Sequence, residues 1–346
     1  MAKINNDRLL DFQKAIGAAG LDAYVVTRLQ DMGYLTGYMM EGYSLLITKK
    51  NAWAFLQTML VDQFKATCSF VKAECSDDYN KALAKKAEEL GLKKVGFDSD
   101  TESYLIGKFW RKNKFVEAPS MLKPLREVKR ADEIKIIRQS CHIAAKAYEV
   151  IKKKVKPGRT EISVARELED IMQAMGAKTT SFDTIVGSGP NSSRPHHVTS
   201  ERKIRSNEPV LIDFGCVYNS YCSDITRTFF VGKPTARFNE MLALVQKSHD
   251  AGVAAIHPGM KTFDADKVCR DIIAEAGYGD KFIHGTGHGV GLEIHESPRL
   301  NTVSPAVLRE GLVVTVEPGV YFEGKFGIRV EDTVLVTKKG CEILTK

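Results

Sequence analysis

The alternation of apolar and polar positions divides the chain into two parts with different rhythms. In the first, a helical pattern over Asp7 to Ala19 leads into the strand-like run Ala23-Tyr24-Val25-Val26-Thr27. Tyr43 to Thr48 and Ala52 to Gln57 flank Lys49-Lys50-Asn51 and predict a hairpin. A helix near Asp78 to Leu90 precedes the strand Lys94-Val95-Gly96-Phe97. The segment Ala118-Pro119-Ser120 to Lys123-Pro124 has linker character and places a domain boundary near residue 122. In the second part a helix over Ala131 to Lys154 ends at Lys156-Pro157-Gly158, and another runs from an N-cap at Thr160 to Gly176. The pattern then returns, with helices over Phe238 to Ile256 and Phe263 to Gly277 on either side of His257-Pro258-Gly259. Pro157 and Pro258 lie 101 residues apart. This joint recurrence predicts two similar α/β halves facing each other across a pseudo-twofold axis, with a natural ligand pocket between them.

Each half ends in an apolar, β-branched hairpin that carries a pair of acids. The first holds Asp213, in Val210-Leu211-Ile212-Asp213-Phe214-Gly215, and Asp224, in Cys222-Ser223-Asp224-Ile225-Thr226. The second holds Glu317, 104 residues after Asp213, and Glu331, in Ile328-Arg329-Val330-Glu331-Asp332. A fold centred on Tyr218-Asn219 sets Asp213 opposite Asp224, since Asn tolerates the positive φ of such turns. A fold centred on Gly324 sets Glu317 opposite Glu331. Facing residues stand about 5 Å apart, and two carboxylates that close repel unless a proton or cation lies between them. Ion pairing with Arg227 and Arg329 is the plainer account, and two acid pairs with a histidine motif between them make it the weaker one.

Composition narrows the class. The 346 residues suffice for two domains, and 43% hydrophobic content suffices for a core. No run of about 18 apolar residues occurs, so no membrane span is expected, and Met1 to Asp7 turns polar at once, without a signal-peptide apolar region. Seven cysteines at irregular spacing fit free thiols in a reducing cytoplasm. Cys222 shares a strand face with Asp224, where a packed neutral thiol is favoured over a thiolate ligand. The net charge is +7, but the densest basic run, Lys152-Lys153-Lys154-Val155-Lys156, ends a helix and has no interleaved aromatics. It reads as a solvated helix end, and nucleic-acid binding is not expected.

Four carboxylates and an imidazole make an oxygen-rich donor set that suits Mn²⁺ best, with Co²⁺ or Zn²⁺ possible. Two such ions about 3.5–4 Å apart fit metal-assisted hydrolysis. The imidazole comes from His284-Gly285-Thr286-Gly287-His288-Gly289-Val290-Gly291, where the glycines around His288 allow close approach to a metal. His284 lies four residues earlier, His295 seven residues later, and His196 follows Pro195 in a Gly- and Ser-rich stretch. His142, His249 and His257 fall on helices or their ends and read as structural.

These runs resemble the metal-dependent branch of the M24, or pita-bread, metallopeptidase family, which includes Xaa-Pro dipeptidase (prolidase), aminopeptidase P, methionine aminopeptidase and the metal-free creatinase. The resemblance spans essentially the whole chain, including Tyr34-Leu35-Thr36-Gly37-Tyr38. It implies a creatinase-like N-terminal α/β domain over residues 1–122 and a pseudo-twofold pita-bread catalytic domain over residues 123–346, an α/β (α+β) protein overall. It implies two divalent metal ions held by Asp213, Asp224, His288, Glu317 and Glu331, with Asp224 and Glu331 bridging. It further implies a bridging hydroxide as nucleophile, Glu317 as proton shuttle, and His196 and His295 as donors to the scissile carbonyl. His284 would line the proline side of the pocket, Arg329 would support the substrate or the ligand shell, and Thr226 would touch a bound water or brace Asp224.

Within the family, the complete ligand set separates this chain from the creatinase branch and from non-catalytic pita-bread binding proteins. The N-terminal domain separates it from methionine aminopeptidases. Cleavage before proline remains. Arg299, four residues after His295, fits a fork onto the free carboxylate of a dipeptide or a plain loop arginine. The expected activity is therefore Xaa-Pro dipeptidase, with aminopeptidase P acting on longer peptides as the alternative. A homodimer is the assembly the resemblance implies.

Overall fold

The computed structural model describes residues 6–346; the polar start of the chain, read above as lacking a signal peptide, lies largely outside them. The chain divides into two compact units, one ending at Arg126 and the other covering Glu127–Lys346. Helix Lys123–Glu127 begins within the last two residues of the segment expected to be a linker.

The first unit is a mixed sheet with helices packed against it. Among the described residues the sheet has six strands, in the order Lys72–Cys75, Ala52–Leu56, Tyr43–Thr48, Ala23–Val26, Val95–Asp98 and Val116–Ala118. The predicted hairpin forms in register, with Tyr43 opposite Leu56. Helix Asp7–Ala18 buries Leu9, Phe12 and Ile16, the three- and four-residue spacing that puts apolar side chains on one face. Trp110 is fully buried and stacks on Phe115.

The second unit realises the internal repeat. Helices Ala131–Ile151 and Glu161–Ala174 are followed by a sheet of Ile185–Ser188, Glu208–Phe214 and Ile225–Val231. Thr160 caps the second helix by accepting the Ser163 N–H. Helices Ala236–Ala255 and Thr262–Glu275 then precede a sheet of Gly287–Gly289, Glu296–Leu300, Val313–Val316, Asp332–Val336 and Cys341–Ile343. Each half closes its own core. Ala144, Leu168, Val210 and Ile212 pack in the first, and Val245, Cys269, Val314 and Val334 in the second. Among the described residues no helix is long and apolar enough to cross a membrane.

The two acid hairpins join along a seam. Thr228 exchanges hydrogen bonds with the Arg329 backbone, and the Glu331 N–H donates to Thr226 O at 3.1 Å. The second hairpin keeps the expected register: Phe322 pairs with Phe326 and Gly319 with Arg329 about Gly324, which adopts φ +66°. The first corrects the expectation. Tyr218 pairs with Tyr221, so Asn219 and Ser220 are the turn residues, at φ 46° and 75°. Two consecutive positive φ values mark the turn whose twist matches paired strands. Asp213 therefore faces Thr226, and Asp224 lies diagonal to it. A shift of two residues preserves the strand face, so both acids still point to one side.

Candidate metal and active site

The site is built from strand ends. Asp213 ends a buried strand, Asp224 precedes its partner strand, and Glu317 and Glu331 occupy the break between two in-register stretches of the second hairpin. His288 sits mid-strand between Gly287 and Gly289. A side chain at Gly287 would stand 2.0 Å from Thr315 O and one at Gly289 2.3 Å from Ser297 O, so only glycine lets the neighbouring strands close on the histidine. Asp224, His288 and Glu331 bring ligand atoms within 4.8 Å of one another. His288 Nε2 lies 3.5 Å from Asp224 and 3.6 Å from Glu317.

Those distances lie beyond hydrogen bonding yet leave buried oxygens facing one another. Among the described residues one guanidinium bonds directly to these acids: Arg329 Nη2 donates to Asp213, whereas Arg227 reaches Glu331 O and Asp332. Among the described residues, Asp213 Oδ1 is buried with no partner. Burial, then repulsion from Glu331, Asp213 and Glu317, pushes the Asp224 carboxyl well above its usual range. Glu331 rises for the same reasons, with Glu317 the leading neighbour. Burial with the Asp213 charge pushes Glu317 up to about 8, against the pull of Arg329. His288 is pushed down to about 3, chiefly by burial, so its imidazole is neutral. Its Nδ1–H donates to Gly289 O at 3.0 Å, which leaves the Nε2 lone pair directed at the acids. An excess of unpaired buried carboxylate beside a neutral imidazole fits divalent cations.

A cavity of about 810 Å³ opens onto these groups, and Asp213, Asp224, His288, Glu317, Glu331, His196, His295, His284, Arg299 and Arg329 all line it. These ten residues expected at the site are thus brought to one cavity, and Thr226 lies behind it. The His295 ring stacks edge-on to His288, with centroids 4.4 Å apart. Arg299 pairs with His288 across the strands, which puts both side chains on one face, and among the described residues no hydrogen bond or ion pair occupies its guanidinium. Lys129 Nζ and Glu296 form a buried ion pair at 2.8 Å that fixes the start of this strand, next to His295.

One detail differs from expectation, and two others add to it. Thr226 braces Glu331 rather than Asp224: its hydroxyl donates to Glu331 Oε2 at 2.6 Å and accepts from Arg329 Nε at 3.0 Å. His284 Nδ1–H donates to Gly285 O, so its Nε2 accepts from the Tyr321 hydroxyl at 2.9 Å; burial and then Arg329 push its pKa down to about 4. Tyr321, which also accepts from Arg329 at 2.8 Å, escaped the sequence reading. Its even spacing from Glu317 on one hairpin arm was the available signal. Burial pushes the Cys222 thiol up to about 12, consistent with a packed neutral thiol.

The stretch Gly189–Ser193 leads toward His196. The Gly324 and Gly327 N–H groups donate to the Ser193 and Ser192 hydroxyls at 3.2 and 3.0 Å, which latches the second acid hairpin to this stretch.

Carboxylates from two hairpins and a neutral imidazole from a separate strand converge on one cavity, a donor set that fits a metal-dependent hydrolase. The comparisons with known proteins agree. Residues 135–338 match the model of metallopeptidase family M24, and residues 8–128 match the creatinase/prolidase N-terminal domain. The chain belongs to metallopeptidase family M24. It is 35% identical to the Xaa-Pro dipeptidase of Pyrococcus horikoshii, over 99% of this chain and 98% of that one. The structure of an Xaa-Pro dipeptidase from Bacillus anthracis superposes with a TM-score of 0.95 at 38% identity, covering 98% of this chain and 97% of that one. An X-Pro aminopeptidase from Thermotoga maritima superposes at 0.89 with 31% identity, over 96% and 97%.

Proposed function

We propose that this metallopeptidase hydrolyses the peptide bond before proline, with Xaa-Pro dipeptides as its principal substrates. The observation that carries the dipeptide preference is Arg299, an unpaired guanidinium fixed on the same face as His288 at the cavity wall. An unpaired fork on the wall of the cavity that holds the acids suits the free carboxylate of a C-terminal proline. The similarity to Xaa-Pro dipeptidases supports the same choice. The size of the cavity, about 810 Å³, favours a second reading, aminopeptidase P, because residues beyond proline also fit.

Asp213, Asp224, His288, Glu317 and Glu331 would hold two divalent cations, with Mn²⁺ best suited to so many oxygen donors. The cations supply Lewis acidity and make water nucleophilic near neutral pH. Glu317 takes the proton of the attacking water and returns it to the proline nitrogen as the C–N bond breaks. That nitrogen carries no hydrogen in the substrate, so its protonation decides whether it leaves. His196 and His295 donate to the carbonyl oxygen as charge develops there. The His284 ring, held by Tyr321, gives the proline ring a flat wall. Arg329 orients Asp213 and, through Thr226, Glu331. The cysteines, all free of disulfides, agree with a cytoplasmic enzyme.

The test compares Met-Pro with Met-Pro-Ala, using Mn²⁺-loaded protein and an EDTA-treated control. Metal-dependent cleavage of Met-Pro in preference to the tripeptide is expected. Arg299→Ala should lower kcat/KM for Met-Pro by roughly 10–100-fold, as loss of about 1.5–3 kcal/mol from charge-assisted hydrogen bonds requires. Preferential cleavage of Met-Pro-Ala, unaffected by Arg299→Ala, would establish the aminopeptidase instead.

A further inference from the structure

Glu161 is the most heavily hydrogen-bonded carboxylate of the catalytic unit outside the acid cluster. It is fully buried in the first turn of helix Glu161–Ala174, where the helix dipole favours an anion. Its Oε1 accepts from the Ser188 N–H at 2.8 Å, the Ser188 hydroxyl at 2.7 Å and Asn191 Nδ2 at 3.0 Å. Its Oε2 accepts from the Ser200 hydroxyl at 2.6 Å, the Ser200 N–H at 3.2 Å, Asn191 Nδ2 at 3.2 Å and His197 Nε2 at 2.9 Å. Burial alone would raise its pKa, but hydrogen bonds from Ser200, His197 and Ser188 hold it below the usual glutamate value. The group is an anion, so His197 Nε2 must carry the donated proton.

The donors are not scattered. Ser188 and Ser200 bracket a single segment, and Asn191 and His197 lie inside it. The same segment holds His196 in the cavity wall, while His196 itself is exposed. An exposed histidine on a segment with little regular structure has no packing of its own to fix it. We infer that Glu161 is a positioning residue: by gathering both ends and the middle of the 188–200 segment onto one buried charge, it sets where His196 meets the substrate carbonyl. This rests on the reading of His196 as a carbonyl donor. A donor misplaced by about 1 Å can lose roughly 100-fold in rate, which gives Glu161 leverage on a reaction it never touches.

The test is a mutant cycle on Mn²⁺-loaded enzyme with an Xaa-Pro dipeptide. Glu161→Gln keeps the shape but replaces an accepting oxygen with a donor. It should lower kcat about 10–100-fold, with KM and bound Mn²⁺ unchanged. In a His196→Ala background the same substitution should cost less than about threefold, because the group it positions is gone. Ser200→Ala removes one hydroxyl at a partly exposed position and should lower kcat by a smaller factor, with the same dependence on His196. It carries the test if Glu161→Gln fails to fold. Losses of equal size with and without His196, or full activity in Glu161→Gln, overturn the inference. Full activity in His196→Ala instead refutes the reading of His196.

Discussion

Replacing Thr226 by Val would test whether the acid cluster is held by directed hydrogen bonds or only by its cations. The two side chains are close in volume, so no cavity opens, and Thr226 is fully buried, so no water replaces the lost hydroxyl. Two buried groups lose a partner at once: Glu331 Oε2 its donor at 2.6 Å, and Arg329 Nε its acceptor at 3.0 Å. Each buried group left unsatisfied costs about 1–3 kcal/mol, and the pair shares one site, so roughly 2–4 kcal/mol of stability should disappear. The loss would be read by urea unfolding of EDTA-treated protein, as a lower midpoint at unchanged slope. Glu331 would also be free to turn, so Mn²⁺ affinity by chelator competition should fall about 10–100-fold, as it does when groups behind metal ligands are removed. Thr226→Ser keeps the hydroxyl and should hold its affinity while losing about 1 kcal/mol for the methyl group. Stability within 0.5 kcal/mol of the parent, together with unchanged Mn²⁺ affinity, would refute the argument.

Removing the metal should abolish hydrolysis and make stability depend on pH. Glu317, raised from 4.5 to about 8 without cations, binds its proton more tightly folded than unfolded, so the stability it contributes is complete below pH 4.5 and lost as pH rises through about 8. Unfolding in urea at pH 5 and pH 8 should therefore show EDTA-treated protein weakening at the higher pH and Mn²⁺-loaded protein holding. The turn offers a stabilising change. Ser220 adopts φ 75°, a conformation that costs an L-residue about 1–2 kcal/mol, so Ser220→Gly should raise stability by about 0.5–1 kcal/mol, visible as a higher Tm at unchanged kcat.

Long elements and close-range patterns were legible because one periodicity dominates each. The helices of the repeat, the N-cap at Thr160 and the register about Gly324 needed no tertiary information. The first hairpin was misplaced by two residues because Asn219 advertises a turn but does not say which side of it the turn continues, and Ser220 is not a residue type that favours positive φ. The site survived that error because a two-residue slip keeps every side chain on its face. Glu161 was invisible for a different reason. Its partners lie 27 to 39 residues away along segments with no periodic pattern, and only the folded chain gathers them.

The latch between the second acid hairpin and the Ser192-Ser193 stretch has a kinetic meaning. Two backbone amides of the arm between Glu317 and Glu331, at Gly324 and Gly327, are protected by hydroxyls of the stretch that leads to His196. Neither side can open and expose those amides without releasing the other. In native-state hydrogen exchange the two amides should share one opening free energy with the residues around His196. The acid wall and the His196 wall of the cavity would then loosen as a single cooperative unit, so each turnover would meet both walls formed or neither.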